Sequence, residues 1–274
     1  MEIKKIAILG AGGQMGSYFA KFFAKQKSEV FVSDLKKEKL FKFKKYQNIK
    51  ICKDNKQAVK FADFILISVL IEDFENLIKE IAPFLRKNQK ILDICSLKEF
   101  PLKIMHKFLK KNLILGTHPL FGPQAKKKNL NFILTPTNPK EKKFAKEFKI
   151  WLEKRNFKVK LMSPKEHDKL MTLILGIPHF VGLTAGSFYL DNFSKENKDI
   201  FTPSFEKLLT LIKSVAFSSP KFYSKLHFQL PDIELVEREF LKKVKFWLKI
   251  VNNKNSQKFE REMIKIKKFF ENVN

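Results

Sequence analysis

Three observations predict the fold class. Apolar strand-like runs alternate with amphipathic segments through residue 162, the glycine cluster Gly10-Ala11-Gly12-Gly13-Gln14-Met15-Gly16 joins the first such run to the first helical segment, and long helical patterns take over after Ser163-Pro164. Parallel strands need a crossover, usually a helix, so the alternation predicts a sheet with helices on both faces. The predicted class is α/β: an N-terminal Rossmann-like doubly wound sheet over residues 1–162, followed by an all-α C-terminal domain over residues 163–274.

The first strand covers residues 3–9 and ends in the glycine cluster; the helix that follows covers 14–25, with Met15, Tyr18, Phe19 and Phe22 on one face. The second strand, 29–33, ends at Asp34. Further strands are expected at 49–52, 64–69, 90–94, 113–116, 132–134 and 158–162, and further helices at 74–85, 100–110 and 139–154. Asn138 caps the last of these, with Pro139 in the first helical position. In the second domain helices are expected at 165–189, 205–216, 220–228 and 232–270. Ser163 caps the first of them, and Glu166 is spaced to complete a capping box. Neither repeats nor a low-complexity linker interrupt this plan.

Composition narrows the function classes. With 274 residues, 44% of them hydrophobic, the chain can bury the cores of two ordinary domains, which excludes a disordered protein. No uninterrupted apolar run reaches the roughly 18 residues of a membrane span, and the N-terminus enters a strand without a charged and apolar leader, so a cytoplasmic protein is expected. Cys52 and Cys95 are too few for a disulfide framework and lack metal-ligand spacing; free buried thiols are expected, and no metal. The net charge of +27 would suit a nucleic-acid or membrane-surface partner. Yet guanidinium groups come only from Arg86, Arg155, Arg238 and Arg261, while lysine is spread over every element and phenylalanine reaches 30, a joint excess that AT-rich codons produce. The charge therefore reads as a solvated surface, with no specific nucleic acid and no membrane as partner, though its field would draw in a small polyanionic substrate.

Four places carry chemistry. Glycines between a strand and a helix let the backbone approach a pyrophosphate, and the helix amides and dipole favour its charge. Two registers are open, Gly10-x-x-Gly13-x-x-Gly16 and one beginning at Ala11 with Gly13 and Gly16; Gln14 and Met15 belong to the same cofactor-binding turn. Asp34 stands near the place, about 20 residues past the motif, where an acidic side chain bonds a ribose hydroxyl. That favours NAD, with NADP left open by Lys36 and Lys37; the other reading of Asp34 is a helix cap. Ser96, in Asp93-Ile94-Cys95-Ser96-Leu97-Lys98, leaves a strand at its carboxyl end and either donates to a substrate oxygen or caps the next helix. His118, in Thr117-His118-Pro119-Leu120-Phe121-Gly122-Pro123, is expected in a constrained turn just after a strand, as a catalytic imidazole. His179, in Gly176-Ile177-Pro178-His179-Phe180, is either a hydrogen-bonded core residue or a second site histidine; His106 and His227 have no context beyond core or surface roles.

The stretch Ile6 to Gly16, the Asp93-to-Lys98 block, His118-Pro119-Leu120-Phe121-Gly122-Pro123, and His167-Asp168 followed by Ile177-Pro178-His179 stand in the order and spacing of the prephenate and arogenate dehydrogenases. The chain resembles that family over nearly its whole length, including Thr202-Pro203-Ser204-Phe205 and Ser219-Pro220-Lys221-Phe222-Tyr223. The resemblance implies an NAD-dependent oxidative decarboxylation of prephenate to 4-hydroxyphenylpyruvate in tyrosine biosynthesis, or the arogenate reaction. It also implies a dinucleotide-binding domain, a helical domain for substrate binding and dimerisation, and a homodimer. In its terms His118 is the catalytic histidine, Ser96 its hydrogen-bonding partner and His179 a second active-site histidine. The family's carboxylate-binding arginine has no counterpart around residues 201–213, where Lys207, Lys213 or a residue from a partner subunit is expected to fill the role. A related NAD(P)-dependent oxidoreductase of another small acid or imine is the alternative, and a non-enzymatic nucleic-acid or membrane-surface binder a remoter one.

Overall fold

The computed structural model describes residues 1–123, 125, 130–194 and 200–271. The chain forms two compact units, Met1–Met171 and Thr172–Asn274.

The first unit is built on eight strands: β1 (Lys5–Leu9), β2 (Glu29–Ser33), β3 (Ile49–Ile51), β4 (Phe64–Ile67), β5 (Lys90–Asp93), β6 (Leu113–Pro119), β7 (Leu130–Thr135) and β8 (Phe157–Leu161). They form one sheet in the order β3-β2-β1-β4-β5-β6-β7-β8. All neighbours are parallel except β6 and β7. The order reverses between β1 and β4, the switch point at which doubly wound sheets open a crevice beyond their strand ends. Six helices cover the sheet: α1 (Gln14–Lys25), α2 (Asn55–Phe61), α3 (Ile71–Ile81), α4 (Glu99–Phe108), α5 (Pro139–Glu153) and α6 (Pro164–Met171). The Rossmann-like expectation holds, with one antiparallel step.

Alternation along the strands sorts the core into two layers, since successive side chains point to opposite faces. Ile6, Ile8, Val30, Val32, Leu66, Leu92 and Leu115 pack with Phe19 and Phe23 of α1 and with Phe144, Phe148 and Trp151 of α5. Ala7, Leu9, Phe31, Ile65, Ile67, Ile91 and Ile114 pack with α2, α3 and α4 on the other face. Much of the phenylalanine excess sits in the first layer. There Phe121 stacks on Phe157 at 5.9 Å between centroids and meets Tyr18 edge-on at 5.5 Å, clamping the segment that follows His118.

Several elements depart from expectation. Strand β6 does not stop at residue 116 but continues through Pro119, so His118 lies in a strand, opposite Ile133 of β7, and not in a turn. Strand β5 ends opposite Gly116, so the remainder of β6 is flanked on one side, where a proline without an N–H is tolerated. Helix α2 was not expected; its signal is Asp54, whose carboxylate accepts the Gln57 amide at 2.7 Å. The two expected caps are present: Asn138 Oδ1 accepts the Glu141 amide at 3.0 Å. Ser163 and Glu166 exchange bonds in a capping box. Cys52 and Cys95 are buried free thiols.

The second unit holds α7 (Ile177–Asn192), α8 (Pro203–Ala216), α9 (Pro220–Gln229), α10 (Ile233–Asn252) and α11 (Ser256–Glu271). The helix expected over 165–189 is divided: α6 leads into a π-helical stretch, Thr172–Gly176, before α7 begins. Pro178 lacks an N–H and would clash with a carbonyl one turn earlier, and a wider turn relieves both. The helix expected over 232–270 is two helices, because Asn253, Lys254 at φ 47° and Asn255 form a polar turn whose Asn255 side chain accepts the Lys258 amide. Helices α7 and α8 approach closely at Gly182 and Gly186, where an added Cβ would stand 3.0 Å from Val215 and 3.3 Å from Ile212.

The helical run Pro164–Asn192 is long and apolar enough, by composition, to cross a membrane, and few of its residues in that stretch are buried. It is not an uninterrupted apolar run, since Gly, Thr, Ser and His punctuate it. Exposed apolar side chains recur at Leu183 and Phe188 of α7, at Leu241, Val244, Leu248 and Val251 of α10, and at Met263, Ile266 and Phe270 of α11.

Phe23 is buried where α1 meets Trp151, stacked at 5.8 Å. Phe23→Ala is expected to lower unfolding free energy by about 3–5 kcal/mol in urea denaturation, and a loss below about 1 kcal/mol would contradict the packing described.

Candidate active site

The glycine turn is shaped by close approaches. Gly10 has φ +82°, and a Cβ there would lie 2.3 Å from the Ser68 carbonyl oxygen at the end of β4; at Gly16 it would lie 2.3 Å from the Gly10 carbonyl oxygen, which would push α1 off β1. Gly12 was absent from both sequence registers, yet its N–H donates to Asp34 Oδ2 at 2.8 Å, and a Cβ on it would meet that carboxylate at 2.7 Å. Gly13 is freer, 3.4 Å from the Gly10 oxygen. Ala11 is buried and accepted with its methyl group. Helix α1 therefore starts with Gln14, Met15 and Gly16 beside bare backbone, with no side-chain cap and no acidic residue in its first turn. Such an end is built for an anion, and the cradle fits a pyrophosphate.

Asp34 is pinned at the end of β2, accepting Lys36 N–H at 2.9 Å as well as Gly12 N–H. It does not cap the 3-10 turn Lys37–Phe43, whose cap position is Lys36. Of the two lysines considered for a 2′-phosphate, Lys37 donates its ammonium to the Lys53 carbonyl, and Lys36 is exposed. Lys42 instead reaches the loop, donating to the Gly12 carbonyl at 3.1 Å, and burial with Lys21 and Lys39 nearby lowers its pKa.

The second cluster lies at the carboxyl ends of β5 and β6. Lys98 is fully buried; its ammonium pairs with Asp93 Oδ1 and donates to the Thr117 carbonyl at 2.7 Å. The Thr117 hydroxyl donates to the Asp93 carbonyl, and Cys95 N–H donates to Asp93 Oδ1 at 2.9 Å. Beside Thr117, His118 is 6% exposed, with Nδ1 2.9 Å from Nε2 of the fully buried His167. His167 Nδ1 lies 2.6 Å from Asp168 Oδ1. Asp168 in turn accepts the backbone amides of Lys98 at 2.7 Å and Glu99 at 2.9 Å, which fastens α6 to the start of α4. Burial chiefly, then His167 and the Lys98 charge, hold the His118 pKa well below its ordinary value. His167 is lowered by burial, against the pull of Asp168.

Ser96 is half-buried just past β5 and makes no side-chain hydrogen bond among the described residues. It does not cap α4, whose cap position is Lys98. His179 belongs to the second unit, where its ring rests on Tyr223 at 4.4 Å between centroids. Burial, with His227 nearby, lowers its pKa to about 4, and its buried Nδ1 has no partner among the described residues. Lys207 and Lys213 are exposed on α8. Among the described residues no group of three or more His, Cys, Asp or Glu side chains is arranged to hold a metal ion.

Sequence reasoning singled out His118, Ser96 and the glycine turn but assigned no role to Gly12, Asp93, Lys98, His167 or Asp168. The last four were all quoted within motifs. For Asp93 and Lys98 the signal was position, charged residues at or just past the end of an apolar strand; His167 and Asp168 stand within the charged segment of α6, which carries no such contrast.

Residues 19–161 match the family described as prephenate dehydrogenase, nucleotide-binding domain. A probable arogenate/prephenate dehydrogenase of Methanocaldococcus jannaschii is 27% identical over 270 residues, 97% of this chain and 60% of that protein. The chloroplastic arogenate dehydrogenase 2 of Arabidopsis thaliana is 28% identical over 188 residues, 64% of this chain and 51% of that protein. The chain thus spans about half to three fifths of the length of these relatives. In fold it is similar to the prephenate dehydrogenase of Aquifex aeolicus solved with hydroxyphenyl propionate and NAD+, at TM-score 0.83 and 19% identity over 100% of this chain and 99% of that one. The arogenate dehydrogenase of Synechocystis gives TM-score 0.78 and 15% identity over 98% of this chain and 100% of that one. With more than half of its length matched by the family, the chain belongs to the prephenate/arogenate dehydrogenase family.

Proposed function

We propose that this protein is an NAD-dependent dehydrogenase that converts prephenate to 4-hydroxyphenylpyruvate and CO₂, with arogenate as the other candidate substrate. The observation that carries the reading is His118: a buried imidazole, held neutral, at the carboxyl end of a central strand of a nucleotide-binding sheet. NAD, when bound, supplies the acceptor for the hydride lost from the ring carbon that bears the hydroxyl. The glycine cradle and the uncapped start of α1 suit its pyrophosphate, and Asp34 suits its adenosine ribose, favouring NAD over NADP.

The chain's own chemistry is proton handling. As the ring C–O bond becomes a carbonyl, its hydroxyl must lose a proton, and a neutral imidazole is the acceptor. Cleavage of the bond to the ring carboxyl group then releases CO₂, the bonding pair completes the aromatic ring, and the phenolate oxygen takes a proton back. Ser96 is assigned to a hydrogen bond with the reacting oxygen, and His179 to the role of a second active-site histidine. Lys207 and Lys213 are the candidate cations for the substrate carboxylates, as point charges in place of an arginine fork.

A homodimer is part of the reading, supported by the apolar faces of α7, α10 and α11, which a second copy would cover. The two buried reduced cysteines suit a cytoplasmic setting.

Purified protein with prephenate and NAD is expected to form NADH, followed by absorbance, and His118→Asn to lower kcat by about 100-fold or more with NAD affinity kept. Full turnover by that variant would remove the role of His118; failure with prephenate and arogenate, each with NAD and NADP, would remove the reaction. Sedimentation equilibrium is expected to give twice the 32.2 kDa chain mass. A charge placed in the apolar stripe of α10, Val244→Glu, should yield monomers; a monomeric wild type would refute the dimer.

A further inference from the structure

His167 and Asp168 are buried beside His118, and the reaction proposed above gives them no task. The direction of their hydrogen bonds follows group by group. Both Asp168 oxygens accept backbone N–H groups, from Lys98 and Glu99, so the carboxylate acts as an ionised acceptor. An acceptor 2.6 Å from His167 Nδ1 requires a proton on that nitrogen. Burial and the neighbouring Lys98 ammonium disfavour a second proton on His167, so its Nε2 carries a lone pair. The 2.9 Å contact from that lone pair to His118 Nδ1 then requires Nδ1–H on His118. What remains on His118 is an unprotonated Nε2, which has no hydrogen bond among the described residues.

We infer that His167 and Asp168 are positioning residues that lock His118 in its Nδ1–H tautomer, so that Nε2 is the atom that takes the substrate's hydroxyl proton. The inference rests on the reading of His118 as the base. No proton crosses the chain: one arrives at Nε2 from the hydroxyl and one is returned to the phenolate oxygen, while Nδ1–H, His167 and Asp168 keep theirs. During the interval His118 is an imidazolium, and Asp168 answers its charge through the polarised His167 ring. Among the described residues Lys98 and Asp93 also face this cluster, as a buried pair whose ammonium weighs against a proton on either ring. A purely structural role accounts for Asp168, which holds two amides at the start of α4, but it leaves a fully buried imidazole between that carboxylate and the base unexplained.

The test uses the whole protein labelled with nitrogen-15 histidine, each of the five histidines being assigned by the loss of its signals on substitution. Long-range proton–nitrogen correlation at neutral pH is expected to show both His118 and His167 protonated at Nδ1. Protonation of His118 at Nε2 would overturn the inference. This readout needs no substrate, so it stands or falls apart from the reaction itself. In kinetics, His167→Gln is expected to lower kcat by about 100-fold with KM and NAD affinity within about threefold, and to cost nothing further when His118 is already replaced by Gln. A folded His167→Gln enzyme with kcat within about threefold of wild type would also overturn it. Should that variant not fold, the tautomer measured in the unsubstituted protein decides.

Discussion

The buried ion pair between Lys98 and Asp93 fixes the geometry on which the site depends. Taking two charges out of water costs several kcal/mol each, which close pairing and further hydrogen bonds offset. Here Asp93 closes β5 and takes both the Lys98 ammonium and the Cys95 amide on Oδ1, its buried Oδ2 having no partner among the described residues, while the ammonium also holds the Thr117 carbonyl on β6. One side chain thus ties the end of one strand to the residue before His118. The backbone of the same lysine, with that of Glu99, anchors Asp168. A shift of Lys98 would move β6, α4 and α6 together, and with them every partner of His118.

That arrangement also sets the electrostatics. The chain carries a net charge of +27, and the buried Lys98 ammonium, though paired with Asp93, still weighs against a proton on His118. His118 and His167 are kept neutral mainly by burial, so the imidazole can accept a proton instead of already holding one. Around them the aromatic layer does the mechanical work. Phe121, Phe157 and Tyr18 hold the segment after Pro119, so the phenylalanine excess that reads as a codon bias is also a packed wall.

Much of this was legible in the residues. The strands from β1 to β8 follow apolar runs, Asn138 and Ser163 announce their helices, and the glycine cluster lies where a nucleotide-binding turn belongs. The rest needed tertiary partners. The Pro- and Gly-rich stretch from Thr117 reads as a turn after a strand ending at Gly116, and it is the antiparallel neighbour β7 that keeps the chain extended through Pro119. Gly12 is required by the Asp34 carboxylate, 22 residues away, which no local spacing reveals. Lys98 is one basic residue among 55, and a lysine next to a helix start reads as surface until its ammonium is found against Asp93. The π-helical stretch before Pro178 is announced by that proline alone, since the pattern of apolar residues runs through it unchanged.

The proposed chemistry rests on one physical property, that this fold presents His118 as a neutral imidazole. Its most direct test is a proton NMR titration of the His118 ring, identified by the signal lost in His118→Gln. The ring is expected to stay neutral from physiological pH to well below the ordinary value of 6.5; a midpoint at or above that value would contradict its role as the base.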